Sequence, residues 1–181
     1  MNIDEVIRAR RTNMFVHKDR ELPDDVVTEL CTLATWAPNH KRTWPWRFAS
    51  LTGDARARLG ETVATAMAAH GDEPSKVEKA RTKYLRTPNV LVIGSVVGDS
   101  PERTGENRDA VAAAVQNLML AATSRSIATY WGTCARGAHD AVAELVGFEP
   151  ETHIVGILYL GFQADDVAVP ERPAPIINRL D

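Results

Sequence analysis

Three stretches of this chain hold residues that could do chemistry. Arg8, Arg10 and Arg11 are followed directly by Thr12. Guanidinium forks beside a hydroxyl match the oxygens of a terminal phosphate. The same residues suit a solvated helix C-terminus, where basic side chains favour the dipole, and on side-chain physics alone that plainer account is preferred. The second stretch, Ala37-Pro38-Asn39-His40-Lys41-Arg42-Thr43-Trp44-Pro45-Trp46-Arg47-Phe48, sets polar and basic residues between prolines and large aromatics. That composition fits a ligand-facing loop, and fits equally a packed turn whose tryptophans fill the core. In the third, Tyr130-Trp131-Gly132-Thr133, a flat aromatic stands beside glycine, so a planar ring could approach both side chain and backbone. A core tryptophan at a strand end is the simpler account of any isolated case.

Other chemistries find no support. His17, His40, His70, His139 and His153 are dispersed, and Cys31 and Cys134 form no CxxC pair, so neither a metal site nor a disulfide framework is expected. There is no G-x-S-x-G elbow, no Walker A sequence and no G-x-G-x-x-G fingerprint. With no nucleophile and no metal set, a bound organic cofactor is the natural carrier of chemistry. A formal net charge of -3 gives no reason to expect nucleic acid or an anionic membrane as partner. The polar, acidic start and the short longest apolar run, Ile154 to Leu160, point to a cytoplasmic protein with no membrane span.

The elements that must position these stretches follow from periodicity and punctuation. Asn2 and Glu5 form a capping-box pattern for a first helix, with Ile3, Val6 and Ile7 on one face, that ends near Thr12. Pro23 and two acids open a second helix that Pro38 ends. A strand over 46–51, an Ala-rich helix over 54–69 and a basic surface helix over 74–86 come next. Val90 to Val97 is a continuous apolar run, the pattern of a buried strand. The clearest helix runs from Arg108 to Arg125, with Val111, Ala114, Val115, Leu118 and Ala122 on one stripe. Short strands over 129–131 and 153–160 flank a helix over 138–146. The 181 residues, 44% hydrophobic and without repeats or linkers, suit one α+β domain over 1–181. A proline-rich arm, with Pro170, Pro173 and Pro175, begins at about residue 165.

Taken in order, these segments resemble the nitroreductase family. The features are Arg10-Arg11-Thr12 after a first helix, Ala37-Pro38 after a second, then Pro45-Trp46-Arg47-Phe48. They continue with Gln116-Asn117-Leu118-Met119-Leu120-Ala121-Ala122, Trp131 and a strand ending in Leu160-Gly161. Chain length, the Asn39-His40-Lys41 loop and the last strand are most similar to the minimal, YdjA-like bacterial subgroup. The resemblance implies an α+β homodimer, each central and mostly antiparallel sheet surrounded by helices, with two flavin mononucleotide (FMN) sites at the subunit interface. It implies that Arg10, Arg11 and Thr12 bind the FMN phosphate and ribityl chain. Trp36, Pro38, Asn39 and His40 would reach the flavin of the partner subunit. Trp131, Gly132 and Thr133 would lie along the ring, and Ala121 to Ser126 near a nicotinamide nucleotide. No side chain is assigned as catalytic. NAD(P)H would donate hydride to flavin N5 and depart, and a nitroaromatic, a quinone or a similar electron-poor small molecule would be reduced in its place. The alternative within the resemblance is an FMN-binding redox sensor or reservoir. The chain departs from the family pattern in Thr12 for serine, in Arg42-Thr43-Trp44-Pro45-Trp46 for Asn-x-Gln-Pro-Trp, and in Ser126-Ile127-Ala128 for Gly-Leu-Gly. Arg172 in the arm is a further candidate phosphate contact.

Overall fold

The structure is a computed structural model that describes residues 2–180. Asn2 and Glu5 close the expected capping box: the Asn2 side chain accepts the Glu5 N–H at 3.0 Å, and the Glu5 carboxylate accepts the Asn2 N–H at 2.8 Å. Helix α1 (Ile3–Ala9) follows, with Arg10 at its C-cap. Helix α2 (Asp24–Ala34) stops before Pro38 is reached, because the Trp36 and Ala37 N–H groups close tight i→i−3 bonds onto Leu33 and Ala34. Then come β1 (Trp46–Leu51), α3 (Gly53–Ala69), α4 (Pro74–Lys83), a 3-10 turn over Tyr84–Arg86, and β2 (Asn89–Val96). Helix α5 (Pro101–Thr123), β3 (Ile127–Gly132), α6 (His139–Leu145) and β4 (Thr152–Phe162) complete the order.

Helix α5 starts seven residues before the expected Arg108. Ser100 Oγ accepts the Arg103 N–H at 3.1 Å and Pro101 takes a first-turn position, so the helix is launched by its cap. The added turns, Pro101 to Asn107, are polar and carry no apolar period, which is why they escape a pattern-based reading.

All strand pairs are antiparallel in one sheet of order β1-β2-β4-β3. Side chains alternate across it. Val90 and Val92 of β2 and Ile157 and Tyr159 of β4 pack with Leu59, Val63, Tyr84 and Val142 of the α3, α4 and α6 region. Leu91, Ile93, Leu158 and Leu160 face the other way, against Leu30 of α2 and Val111, Val115 and Leu118 of α5. Helices on both faces bury β2 from Asn89 to Ser95, which is why Val90 to Ile93 form a continuous apolar run although the neighbouring strands are antiparallel. After α1 the chain is tied to the far edge of this sheet. Thr12 makes a parallel bridge to Thr129, Val16 an antiparallel bridge to Gln163, and the Asn13 N–H donates to the Thr129 carbonyl at 2.9 Å. From Val167 on, the arm runs over the surface without regular structure. Among the described residues no helix is long and apolar enough to cross a membrane.

Candidate cofactor site

Because α1 ends at Ala9, Arg10 and Arg11 leave the helix where the chain turns toward β3. Arg8, Arg10 and Arg11 line a cleft of about 480 Å³ with Gln116 of α5 and with Val169, Pro170 and Arg172 of the arm. Burial, with Arg11 and Arg172 adding repulsion, lowers the pKa of Arg10. Elsewhere on the chain, Arg47, Arg81, Arg103 and Arg125 each have a glutamate partner. Among the described residues Arg8, Arg10, Arg11 and Arg172 have no carboxylate within 4.0 Å. Arg11 donates Nη1–H to the Arg10 carbonyl at 2.7 Å, yet its buried Nε has no hydrogen-bond partner. Converging cations, an orphaned donor and no counter-charge make a receptor for an anion with several oxygens. A merely solvated helix end does not recruit a fourth arginine from a distant segment.

Thr12 lies beside Thr129, and β3 runs from there to Trp131 and Gly132, with Thr133 just past its end. At about 3.4 Å per residue, Trp131 to Thr133 lie roughly 7–14 Å along the strand from that bridge. Trp131 pairs with Leu158, so it stands on the α5 face of the sheet. Its indole lies over Gly156, where a Cβ would come within 2.0 Å of Nε1. The ring is 37% exposed rather than buried in the core. An elongated ligand with a phosphate at one end and a flat ring at the other matches this spacing. Beyond Thr133 a second cleft, about 570 Å³, is bounded by Arg108, His139, His153 and Val155. Sequence reasoning missed those residues, which share no motif and meet only through the sheet.

The segment Trp36 to His40 is held elsewhere. It leads into β1, three strand spacings or about 14 Å across the sheet from β3. Its loop touches α5 at Asn107, whereas Gln116 lines the arginine cleft and Thr123 a neighbouring cleft with Arg11. Those positions are about 14 and 24 Å from Asn107 along the helix axis. Trp36 is 80% exposed, Pro38 comes two residues later, and the His40 ring is 3.9 Å from Glu106. Within one chain, then, Arg10, Arg11, Thr12, Trp131, Gly132 and Thr133 are strung along β3, joined by Arg172, and Trp36, Pro38, Asn39 and His40 stand apart from the arginines. Ala121 to Ser126 forms the last turn of α5 and its exit into β3. There Ala121 and Ser124 border an apolar groove with Ile3, Val6, Leu33 and Leu120.

Comparison with known proteins identifies the family and the fold. YdjA of Escherichia coli strain K12, named as an NAD(P)H nitroreductase, is 27% identical over 147 residues, covering 78% of this chain and 80% of its own. A nitroreductase-like family protein from Bacillus cereus superposes with a TM-score of 0.79 at 27% identity, covering 98% of this chain and 92% of its own. The FMN-dependent nitroreductase NfnB of Mycobacterium smegmatis, solved with NADPH, shares the fold at a TM-score of 0.74 and 21% identity, with 97% of each chain covered. The sequence profile of the nitroreductase family itself matches residues 7–162, and the chain therefore belongs to the nitroreductase family.

Proposed function

We propose that this chain is a cytoplasmic FMN-dependent NAD(P)H oxidoreductase that reduces nitroaromatic, quinone or similarly electron-poor small molecules. The observation that carries the reading is the cluster of Arg10, Arg11 and Arg172 with no acid partner among the described residues, in a chain path that Thr12 ties to Thr129, two residues along β3 from the exposed Trp131. The donor set supplies the test of fit: Arg8, Arg10, Arg11 and Arg172 share one cleft with no acid partner among the described residues, which suits the oxygens of a phosphate. Arg10, Arg11, Thr12 and Arg172 would hold the phosphate and ribityl end, and Trp131, Gly132 and Thr133 the ring. FMN, when bound, supplies the redox chemistry, taking hydride from the nicotinamide and returning reducing equivalents to the second substrate. The protein's part is binding, orientation and electrostatics. The cleft bounded by Arg108, His139 and His153 gives a small molecule room beside Thr133.

The proposal includes a homodimer, in which Trp36, Pro38, Asn39 and His40 of the partner subunit complete the site. Two features support it: the separation of that segment from the arginines, and the exposed apolar side chains Ile3, Ile7 and Trp36, of which Ile3 lines the groove between α1, α2 and α5. The free thiols Cys31 and Cys134 accord with a reducing compartment. The test is an absorbance spectrum of purified protein, followed by anaerobic NADH or NADPH, with molar mass from light scattering. Flavin bands that bleach, on a particle of twice the chain mass, support the proposal. Bands that do not bleach leave a flavin sensor or reservoir. A protein that FMN neither colours nor stabilises refutes the flavin reading altogether.

A further inference from the structure

Residues 39–44 are held in a conformation that their own backbone disfavours. Lys41, Arg42 and Trp44 have φ of 60°, 53° and 50°, in the left-handed region that non-glycine residues avoid. Three such residues in a row of four persist only where the surroundings over-determine them. Besides the Arg42 N–H on the Asn39 carbonyl, Arg47 Nη1 on the Trp44 carbonyl and the Trp44–Trp46 edge contact, the surroundings hold a relay of side chains. Asn107 of α5 is 3% exposed, and its amide donates from Nδ2 to the Val96 carbonyl at 3.0 Å. Its Oδ1 accepts from Thr43 Oγ1 at 2.6 Å. Thr43 Oγ1 accepts in turn from Asn39 Nδ2 at 3.0 Å, and Asn39 Oδ1 accepts the Trp44 N–H at 2.9 Å. The Val96 N–H donates to the Pro45 carbonyl at 2.9 Å. One residue at the end of β2 thus anchors the loop twice, by its N–H through Pro45 and by its carbonyl through Asn107 and Thr43.

We infer that Asn107 and Thr43 are positioning residues for FMN binding. They clamp Asn39 and His40 in the arrangement that meets the partner's flavin, an inference that rests on the proposed function. The Asn107 amide donates on one side and accepts on the other, whereas aspartate would set a carboxylate against the Val96 carbonyl. Thr43 must likewise donate and accept through one atom, which serine can do and valine cannot. Without the relay the left-handed residues relax, and FMN affinity falls in proportion to the fraction of loops still in place.

The experiment compares Thr43→Val, Thr43→Ser and Asn107→Ala with wild type. It reads FMN dissociation constants, together with tryptic cleavage after Lys41 and Arg42 in the FMN-free protein. Thr43→Val is expected to weaken FMN binding about tenfold, corresponding to a competent-loop fraction near one tenth, and to speed cleavage. Thr43→Ser is expected to restore both. Adding Asn107→Ala to Thr43→Val is expected to change little, as befits one relay. Thr43→Val with wild-type FMN affinity overturns the inference, and so does weakened binding that Thr43→Ser fails to restore. If the wild type binds no FMN, the functional reading fails and the inference with it. Cleavage still reports separately whether the clamp exists, being faster in Thr43→Val if it does and unchanged if it does not.

Discussion

Replacing Arg10 by glutamine is expected to move cofactor affinity and cofactor-free stability in opposite directions. In the FMN-free protein Arg10 is partly buried beside Arg11 and Arg172 and has no acid partner, so its charge opposes folding. Removing that charge relieves a repulsion worth up to about 1 kcal/mol after solvent screening. For a chain of this size that is a rise of about 2–4 °C in Tm. Binding changes the sign. A charge-assisted hydrogen bond to a phosphate is worth about 1.5–3 kcal/mol, so its loss weakens FMN roughly 10- to 150-fold. The assay pairs fluorescence titration of FMN with thermal melts of the FMN-free protein, each at low and high salt. The wild-type affinity is expected to fall with salt more steeply than that of the variant. Arg81→Gln, which removes a partner of Glu61 and Glu78 on α4, serves as comparison: its Tm falls slightly and FMN binding stays as it was. The reasoning is refuted if Arg10→Gln keeps full FMN affinity, or if its Tm drops in the manner of Arg81→Gln.

Three further outcomes are expected. Gly156→Ala drives a methyl into the Trp131 indole, which should cost about 1–3 kcal/mol in denaturant unfolding and shift tryptophan fluorescence; a variant with wild-type spectra and stability would remove Trp131 from its assigned place. Leu118→Ala empties a fully buried position between α5 and the sheet and is expected to destabilise by about 2–5 kcal/mol in urea titration. Burial pushes the Cys31 and Cys134 thiols up to about 11, so the fold favours their neutral form. The stability they contribute is complete below the ordinary thiol value near 8.5 and is lost as pH rises toward about 11. A thiol reagent at about pH 8 should accordingly label native protein slowly and urea-unfolded protein fast; equal rates would contradict the burial.

Much of this was legible in the residues, and the illegible part has a physical cause. The capping box at Asn2, the buried β2 run and the apolar stripe of α5 are local patterns, and each forms the element its period dictates. The start of α5 was hidden because a cap and a proline launch two polar turns without periodicity. The order β1-β2-β4-β3, with the last strand inserted between two earlier ones, is a property of distant pairings that no short window contains. In the site, Arg10-Arg11-Thr12 and Trp131-Gly132-Thr133 could be singled out by type, but only the Thr12–Thr129 bridge puts both on one strand path. Two overlooked positions did leave a signal. Asn107 falls on the same helical stripe as Val111, Ala114 and Leu118, a polar residue where the pattern calls for an apolar one. Gly156 interrupts a β-branched strand, which marks a close approach by another group, here Trp131.

The lacing of residues 12–16 onto β3 and β4 also has a consequence for biosynthesis. Thr12 waits for Thr129, Val16 for Gln163, and the arginine cleft for Arg172, so these residues find partners that are made far later in the chain. Contacts of such sequence separation are slow to form, because loop closure precedes any gain from them. A nascent chain therefore has no anion receptor while α1 through α5 are emerging. If the arginines hold the phosphate as proposed, flavin capture waits for β3, β4 and the arm, and a fragment that stops short of β4 lacks the Val16–Gln163 bridge and Arg172.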